Sequence, residues 1–407
     1  MRTGCRVHQN LEFDNLNCRN CVARRGFNRL NSKGSAFRNF RGKWGESWQH
    51  GRRMASQPQQ LRVLVVGLGA LGGVVAHALG SSGCEVTALV RRAEIERAVN
   101  TSGLRELRSG TLSRPIVVSE PGVLSGPFHF VVLAMQPPDL EMALDAIIPK
   151  LDPSVQIVCL QNGLCEERVA AKVGAERVIG AVVTFGAKGH GAGICEHVPG
   201  GGLVMGRIDG GVDDALTQFA ERCKGLGKIR ISKNLIGIRW SKLIVNCAIS
   251  TLGTIGGDQL GALLNKAYAR ELAFELMSEG VNVARASSVK LERLPGTLPL
   301  TWLTATGQEG AGLRAAARSW ARHTAALGLG AKYRRLRSSM LRAIERGDPP
   351  AVDFLNGEVV TRGLELGVKT PINERARALV WAISRGERFP SHDTLKAFYD
   401  ETRTLGG

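Results

Sequence analysis

Six residues near the start of the folded sequence, Gly67-Leu68-Gly69-Ala70-Leu71-Gly72, follow the pattern GxGxxG. They come directly after a β-branched run at 61–66 and before an apolar-rich stretch that extends to about Ser81. A second apolar run follows at 84–90. Strand, glycine turn, helix and strand in this order predict a dinucleotide-binding unit, with the pyrophosphate at the helix N-terminus.

Each glycine of this turn has its own predicted task. Gly67 permits the tight turn, Gly69 lets the backbone approach the pyrophosphate, and Gly72 allows the helix to pack closely on the strand. Leu68, Ala70 and Leu71 complete the predicted cofactor-binding loop. A glycine-rich turn without a ligand is the alternative, and the flanking strands and helix disfavour it.

The end of the second strand bears on the choice of nicotinamide cofactor. An NAD site places Asp or Glu there for the ribose hydroxyls, whereas this chain has Val90-Arg91-Arg92. A guanidinium suits the 2′-phosphate of NADPH through charge-assisted bonds. We therefore predict that Arg91 binds this phosphate, the alternative being that both arginines begin a solvated helix.

Alternating strand and helix patterns continue beyond the glycine turn. Strands are expected at 116–118, 128–134, 156–160 and 178–184, and helices at 93–100, 138–149 and 165–173, which together predict a doubly wound parallel sheet. The stretch 185–206 is expected to form antiparallel edge strands that close this domain. The sequence thus predicts a Rossmann-type α/β domain over 60–209.

A turn signal at Asp209-Gly-Gly211 is the predicted domain boundary, because helical patterns prevail beyond it. Helices are expected at 213–225, 235–252, 258–286, 335–346, 351–366, 371–384 and 392–402. A segment at about 293–335, rich in Pro, Gly, Ala and Arg, is expected to be a long insertion or loop. Residues 210–407 would then form an all-α C-terminal domain.

The net charge of +18 is concentrated at the N-terminus, where residues 1–53 hold 12 Lys/Arg against three acidic residues. We interpret 1–59 as a disordered basic leader that resembles an organelle-targeting segment, so the expected compartment is cytoplasmic or organellar (mitochondrion or plastid). Translation from Met54 and a basic RNA-binding arm are the alternatives. No nucleic-acid partner is expected for the folded part.

Several other classes of protein are disfavoured. The longest apolar runs are far shorter than the ~20 residues that cross a bilayer, so no membrane span is expected. Nine scattered cysteines are an odd number that argues for reduced thiols. Cys18 and Cys21 form a CxxC pair without a second pair at ligand spacing, so no metal is expected.

A set of motifs makes the chain similar to one family. They are GLGALGG at 67–73, LQNG at 160–163, the run Gly191–His197, RWSKLIVNCAIS at 239–250 and SSMLRAIERGDPPAVDFLNG at 338–357. From about Arg62 to Arg385 the chain resembles the ketopantoate reductase (2-dehydropantoate 2-reductase) family. The resemblance implies a Rossmann domain followed by a helical domain like the C-terminal domain of 6-phosphogluconate dehydrogenase, with NADPH and substrate in the cleft between them.

The resemblance also implies roles for individual side chains. Reduction of a ketone needs hydride on carbon and a proton on oxygen, and Lys242 would be the proton donor while Asn246, one helical turn later, orients the substrate. Without the family match, Lys242 would be interpreted as a surface lysine. The remaining implied contacts are Asn162 to the nicotinamide ribose and substrate, Ser250 and Ser339 to the substrate, and Gln136 near the 2′-phosphate.

Two of these assignments have a structural alternative, and one segment is expected to be structural only. Asn162 could cap the following helix, and Ser339 could be the N-cap of a helix at 340–346. Asp353 and Asn356, in the segment D-x-x-N-G, are expected to fix the geometry between the domains.

Three positions depart from the family pattern. Ser250 stands where the family usually has Asn, Ala351 where it has Glu, and Gln136 where a basic residue often assists the 2′-phosphate. The expected function is NADPH-dependent reduction of a small 2-oxo acid, foremost 2-dehydropantoate to pantoate. Reduction of another carbonyl or imine, or a non-catalytic NADPH-binding regulator, are the alternatives; a homodimer is a possible assembly.

Overall fold

The computed structural model describes residues 60–304, 313–332 and 334–405. The predicted leader at 1–59 and the Cys18–Cys21 pair lie outside the described residues. The chain from 60 onward forms a sheet domain followed by a helical domain.

Eight strands form the main sheet, in the order β12-β11-β8-β7-β6-β1-β2-β5. All neighbouring pairs are parallel except β8 with β11. The strands of the protein are β1 (Arg62–Val66), β2 (Glu85–Leu89), β3 (Leu104–Glu106), β4 (Leu112–Ser113), β5 (Ile116–Val118), β6 (Phe130–Leu133), β7 (Gln156–Cys159), β8 (Val178–Val183), β9 (Gly186–Gly189), β10 (Ile194–Val198), β11 (Gly202–Gly206) and β12 (Lys228–Ile231).

Helices cover both faces of this sheet, which confirms the predicted doubly wound architecture. They are α1 (Ala70–Ser81), α2 (Ala93–Ser102), α3 (Leu140–Ile147), α4 (Cys165–Val173) and α5 (Asp214–Arg222). One buried apolar cluster joins the sheet to α1 and α5, and another joins it to α3 and α4. Strands buried on both faces explain the continuous apolar runs in the sequence.

A second, four-stranded sheet has the order β4-β3-β10-β9. The antiparallel strands predicted at 185–206 are present, but β11 lies inside the edge strand β12 of the main sheet, and β9 and β10 belong to the second sheet. Strand β10 packs on α1, where a Cβ on Gly73 would lie 3.2 Å from the Cβ of Cys195. The missing side chain at Gly73 thus lets the small sheet cover this face of α1.

The domain boundary predicted at 209/210 lies too early in the chain. Strand β12 pairs with β11 from Lys228 to Ile231, so α5 and β12 belong to the sheet domain. The Asp209-Gly-Gly211 signal is a turn inside that domain, with Gly210 at φ 81° and the Asp209 carboxylate accepting from the N–H of Gly211. A single short edge strand, only partly buried, gave too weak a pattern to be recognised.

The second domain is all-helical in its described residues, as predicted. Its helices are α6 (Leu235–Ile255), α7 (Leu260–Leu264), α8 (Ala267–Ala286), α9 (Leu300–Leu303), α10 (Leu313–Lys332), α11 (Ser339–Glu345), α12 (Asn356–Glu365), α13 (Pro371–Ser384) and α14 (His392–Leu405). Helix α6 lies at the centre and packs against α8, α11 and α13. By length and hydropathy it could span a bilayer, but 72% of its most apolar window is buried within the protein.

The segment predicted as an insertion or loop at 293–335 contains α9 and the 20-residue α10. Ala and Arg dominate α10, and both are strong helix formers. The helix continues through Gly328 and Gly330, so the glycines of this segment do not break it. Its arginines also differ among themselves, since Arg322 is only 8% exposed and lies over the ring of Phe274.

Candidate active site

A cleft of about 2310 Å³ separates the two domains. Its floor is the edge of the main sheet at which the parallel strands end, and its other wall consists of α6, α11 and the loop after α8. Strand β1 continues to β2 on one side and the chain returns to β6 on the other, so the sheet reverses its order between β1 and β6. Ligands of open α/β folds bind at such a switch point.

The glycine turn lies at this switch point. Gly67 adopts φ 95°, which favours glycine, and a Cβ there would approach the N atom of Met135 at 3.0 Å. A Cβ on Gly72 would lie 1.8 Å from the carbonyl oxygen of Gly67. Gly69 has open space where its Cβ would be. Gly67 and Gly72 are therefore required by the turn itself, whereas Gly69 leaves room beside the backbone for a ligand.

This difference gives a matched pair of variants. Gly69→Ala should retain the wild-type thermal unfolding midpoint and lose about tenfold or more in affinity for a nicotinamide dinucleotide, because overpacking a close contact costs about 1–3 kcal/mol. Gly72→Ala should lower the unfolding midpoint, since its Cβ collides with backbone. Thermal unfolding and calorimetric titration with the dinucleotide measure both effects. Unchanged affinity in Gly69→Ala would contradict the cradle role of the turn.

Arg91 follows β2 and lies in the cleft lining with 63% of its side chain exposed. Its Nη1 donates to Asp139 at 2.9 Å, and its Nη2 lies 3.8 Å from a carboxylate oxygen of Asp348 in the helical domain. Arg92 pairs instead with Glu94 on its own helix, at 3.3 Å. Arg91 thus lies in the cleft at the end of β2, where two carboxylates hold its guanidinium.

Lys242 on α6 is part-buried in the cleft, and its Nζ donates to the carbonyl of Val183 at 3.0 Å. Val183 is the last residue of β8, so the ammonium sits at the same sheet edge as the glycine turn. Burial lowers the pKa of Lys242 to about 7, with a smaller lowering from the nearby Arg239 and an opposing effect of Glu166. A lysine with such a pKa can donate a proton at neutral pH, as a general acid must.

An ion pair that the sequence analysis missed lies beside Lys242. Arg239, one turn earlier on α6, places its Nε 2.8 Å from Glu166 on α4, and both side chains are at most 5% exposed. Arg239 also donates to the backbone carbonyls of Gln161, at 2.9 Å, and Ala181, at 3.2 Å. The pair therefore joins α6 to β8, to the loop after β7 and to α4 of the sheet domain. No local pattern could reveal it, because the partners are far apart in sequence.

Asn162, Asn246 and Ser250 all line the cleft, as predicted from the sequence. Asn162 follows β7, the strand beside β8, and does not cap α4, whose N-cap is Leu164 without a side-chain bond. Lys242, Asn246 and Ser250 are spaced by four residues and so form one row along α6. Val245 and Ile249 lie beside this row and add apolar surface to the lining.

Ser339 lines the cleft and is exposed, and it is not the N-cap of its helix. Ser338 is the N-cap of α11, accepting from the N–H of Leu341 at 3.3 Å, and its hydroxyl also donates to the carbonyl of Ser250 at 2.9 Å. The N-cap role that was the alternative for Ser339 is therefore performed by Ser338.

Among the predicted site residues, Gly72 alone is not part of the cleft lining, because it packs behind the turn. Gln136 follows β6 and lines the cleft between the glycine turn and Asn162. The other predicted residues of the lining are Gly67, Leu68, Gly69, Ala70, Leu71, Arg91, Asn162, Lys242, Asn246, Ser250 and Ser339. The structure thus brings together residues that the sequence separates by more than 270 positions.

Asp353 and Asn356 of the D-x-x-N-G segment fix geometry within the helical domain, and not between domains as the sequence suggested. Asn356 donates to the carbonyl of Cys247 at 3.2 Å and to Asn373 at 2.9 Å, and accepts from Thr251 at 2.7 Å. Asp353 accepts from Arg377 at 2.6 Å, within the same domain. Neighbouring side chains make the interdomain contacts, namely Phe354 under Arg168 and the ion pairs Arg168–Glu358 and Arg362–Glu167.

No group of three His, Cys, Asp or Glu side chains that could hold a metal ion is present in the part of the chain that the structure describes. The six cysteines at 84, 159, 165, 195, 223 and 247 are free and buried. Burial raises the pKa of Cys165 and Cys195 to about 12, which leaves these thiols unreactive.

Comparisons with known proteins agree with this architecture. The family model described as Ketopantoate reductase PanE/ApbA matches residues 63–210, and the model of its C-terminal domain matches 234–384. A 2-dehydropantoate 2-reductase of Pyrococcus horikoshii is 25% identical over 330 residues, which cover 80% of this chain and 97% of that protein.

Solved structures show the same fold. A PanE/ApbA family ketopantoate reductase from Ralstonia eutropha JMP134 is 25% identical with a TM-score of 0.66, covering 80% of this chain and 99% of that one. A D-mandelate dehydrogenase, solved with NADH and anilino(oxo)acetate, is 18% identical with a TM-score of 0.68 and the same coverage. At that lower identity the likeness concerns the fold alone.

Proposed function

This chain belongs to the ketopantoate reductase family, and from that premise we propose that it reduces a small 2-oxo acid, foremost 2-dehydropantoate to pantoate, with NADPH. The proposal rests above all on one observation, the Lys242 ammonium in the interdomain cleft at the sheet edge that carries the glycine turn. β1 and β8 are three strands apart, about 14 Å at the usual strand spacing. An extended dinucleotide bound at the turn would reach that far along the edge.

The residues of the cleft have separate roles in a carbonyl reduction. A bound nicotinamide dinucleotide supplies the hydride. Lys242 holds a proton at Nζ, beside the substrate oxygen on which negative charge develops, and its positive charge stabilises that oxygen. Asn246 and Asn162 orient the carbonyl by hydrogen bonds, and the Ser339 hydroxyl binds the substrate carboxylate. The apolar lining near α6 excludes water from the reacting atoms.

The choice of NADPH rests on Arg91. We expect Arg91→Gln to weaken NADPH binding by about tenfold to a hundredfold, because hydrogen bonds to charged groups contribute about 1.5–3 kcal/mol. NADH affinity should stay unchanged, since Asp139 and Asp348 remain to accept from a ribose hydroxyl. Arg92→Gln is the matched control, with an equally exposed guanidinium on the neighbouring residue. If Arg91→Gln lost the same affinity for NADH as for NADPH, the assignment of Arg91 to the 2′-phosphate would be contradicted.

The choice of 2-dehydropantoate rests on the family and on the cleft's mixture of polar and apolar lining. Ser250 and Ala351 favour a second candidate, another 2-oxo acid, because Ala351 offers no carboxylate where the family pattern has one. We would measure NADPH oxidation with 2-dehydropantoate and with branched and aromatic 2-oxo acids. The highest kcat/KM for 2-dehydropantoate would support the first candidate, and a higher value for another acid the second.

The same assay tests the alternative of a non-catalytic NADPH-binding protein. Turnover of any 2-oxo acid would exclude it. Calorimetric NADPH binding without turnover of any acid in the panel would overturn the proposed reduction.

A further inference from the structure

Helix α11 lies along the cleft and connects its two ends. At its start, Ser338 donates to the carbonyl of Ser250, in the polar row of α6. Beyond its end, Asp348 lies 3.8 Å from Arg91. The helix itself has seven residues and is thus about 10 Å long. It therefore extends from the proposed substrate position towards the proposed 2′-phosphate position.

One side chain in the middle of this helix is not explained by the proposed reaction. Arg342 lines the cleft and is exposed, and its guanidinium makes no hydrogen bond or ion pair with any residue that the structure describes. It follows Ser339 by three residues and precedes Arg346 by four, so the three share one face. Ser339 and Arg346 also line the cleft.

Three other arginines of the cleft lining are already paired. Arg346 lies 2.9 Å from Asp348, Arg337 donates to Glu345 at 2.9 Å, and Arg91 donates to Asp139 at 2.9 Å. Arg342 is thus an unpaired guanidinium between the two ends of the cleft. In a dinucleotide the group between the nicotinamide ribose and the adenosine ribose is the pyrophosphate, and guanidinium suits phosphate through bidentate bonds.

We propose that Arg342 binds the cofactor pyrophosphate from the helical domain, opposite the glycine turn that holds it from the sheet domain. This inference rests on the proposed function, because it requires a dinucleotide in the cleft. It adds a second domain to the phosphate site. Since both nicotinamide cofactors have the pyrophosphate, Arg342 contributes equally to both.

The test compares three ligands by calorimetric titration of the full chain: NADPH, NADH and adenosine 2′-monophosphate, which lacks the pyrophosphate. Arg342→Gln should raise the Kd of NADPH and of NADH by about tenfold, the effect of one charge-assisted phosphate contact near solvent. The Kd of adenosine 2′-monophosphate should not change. Arg342→Lys should give a smaller loss, because an ammonium keeps the charge but not the bidentate geometry.

Arg375→Gln on α13 is the control for loss of one positive charge, and it should leave all three affinities unchanged. If Arg342→Gln binds NADPH and NADH with the same Kd as the wild type, the inference is overturned and the proposed function stays intact. An equal rise in the Kd of adenosine 2′-monophosphate would also overturn it, because Arg342 would then bind the 2′-phosphate. A wild-type protein that binds neither nicotinamide cofactor would overturn both proposals.

Discussion

Replacement of Lys242 by methionine is expected to lower kcat about 10²- to 10⁴-fold, the usual contribution of a positioned general acid. Methionine keeps much of the side-chain length and removes the ammonium that donates to Val183. The reduction would then have to draw its proton from water. We would measure single-turnover NADPH oxidation, so that substrate binding and the chemical step are separated.

Lys228→Met is the matched control, because Lys228 also lines the cleft but belongs to the exposed edge strand β12. Its kcat should stay close to that of the wild type. A similar kcat loss in both variants would show that the cleft needs positive charge in general and would contradict a specific proton donor. An unchanged kcat in Lys242→Met would do the same.

The pH dependence gives a second signature of Lys242. Its pKa of about 7 leaves the ammonium protonated below that pH and neutral above it. The value of kcat/KM for reduction should therefore be level on the acid side and fall as pH rises through about 7. A kcat/KM that rises through this range would contradict the role of the ammonium as acid.

The lowered pKa of Lys242 also makes the free energy of unfolding depend on pH. The unfolded chain binds this proton up to the ordinary lysine pKa of 10.5, whereas the folded protein releases it near 7. Between these values the unfolded state holds more protons, so the free energy of unfolding should rise with pH. Lys242→Met should lack this contribution, which denaturant unfolding across the range would measure.

The part of the fold that could be predicted from the sequence is the part encoded locally. The glycine turn, the buried strands and the row Lys242, Asn246, Ser250 each depend on residues close together in the chain. Their spacing was sufficient to place the turn at a sheet edge and the row on one helix face, whereas the family resemblance was needed to assign Lys242 to the site. The parallel sheet then brought the strand ends together without further information.

The parts that were missed depend on pairing over long distances or on weak local signals. Strand β12 has a short, partly exposed pattern and is recognised only through its partner β11. The choice of Ser338 over Ser339 as N-cap depends on where α11 begins, which sequence patterns give only to within a few residues. The free guanidinium of Arg342 becomes notable only when its paired neighbours are known.

The second large effect is expected from Arg239→Met, which leaves the buried Glu166 without its partner. We expect the free energy of unfolding to fall by about 3–5 kcal/mol, the usual cost of breaking a buried ion pair by removing one member. The carbonyls of Gln161 and Ala181 would also lose their donor. Denaturant unfolding of wild type and variant measures this loss.

Burial already raises the pKa of Glu166, and removing the arginine raises it further. The folded variant would then hold a proton that the unfolded chain has released, so its stability should decrease as pH rises above the ordinary glutamate range. Comparing unfolding at pH 5 and pH 8 tests the sign. A variant as stable as wild type at pH 8 would mean that water or another group compensates Glu166.

The double variant Arg239→Met/Glu166→Met separates the pair from its surroundings. Replacing both members by apolar side chains is often neutral or stabilising, so the double variant should regain much of the stability lost in Arg239→Met.

Arg239 lowers and Glu166 raises the pKa of Lys242. Arg239→Met alone should therefore move the fall in kcat/KM to higher pH, and Glu166→Gln should move it to lower pH. Opposite shifts in these two variants would show that the buried pair sets the acidity of the proton donor as well as holding the two domains in register.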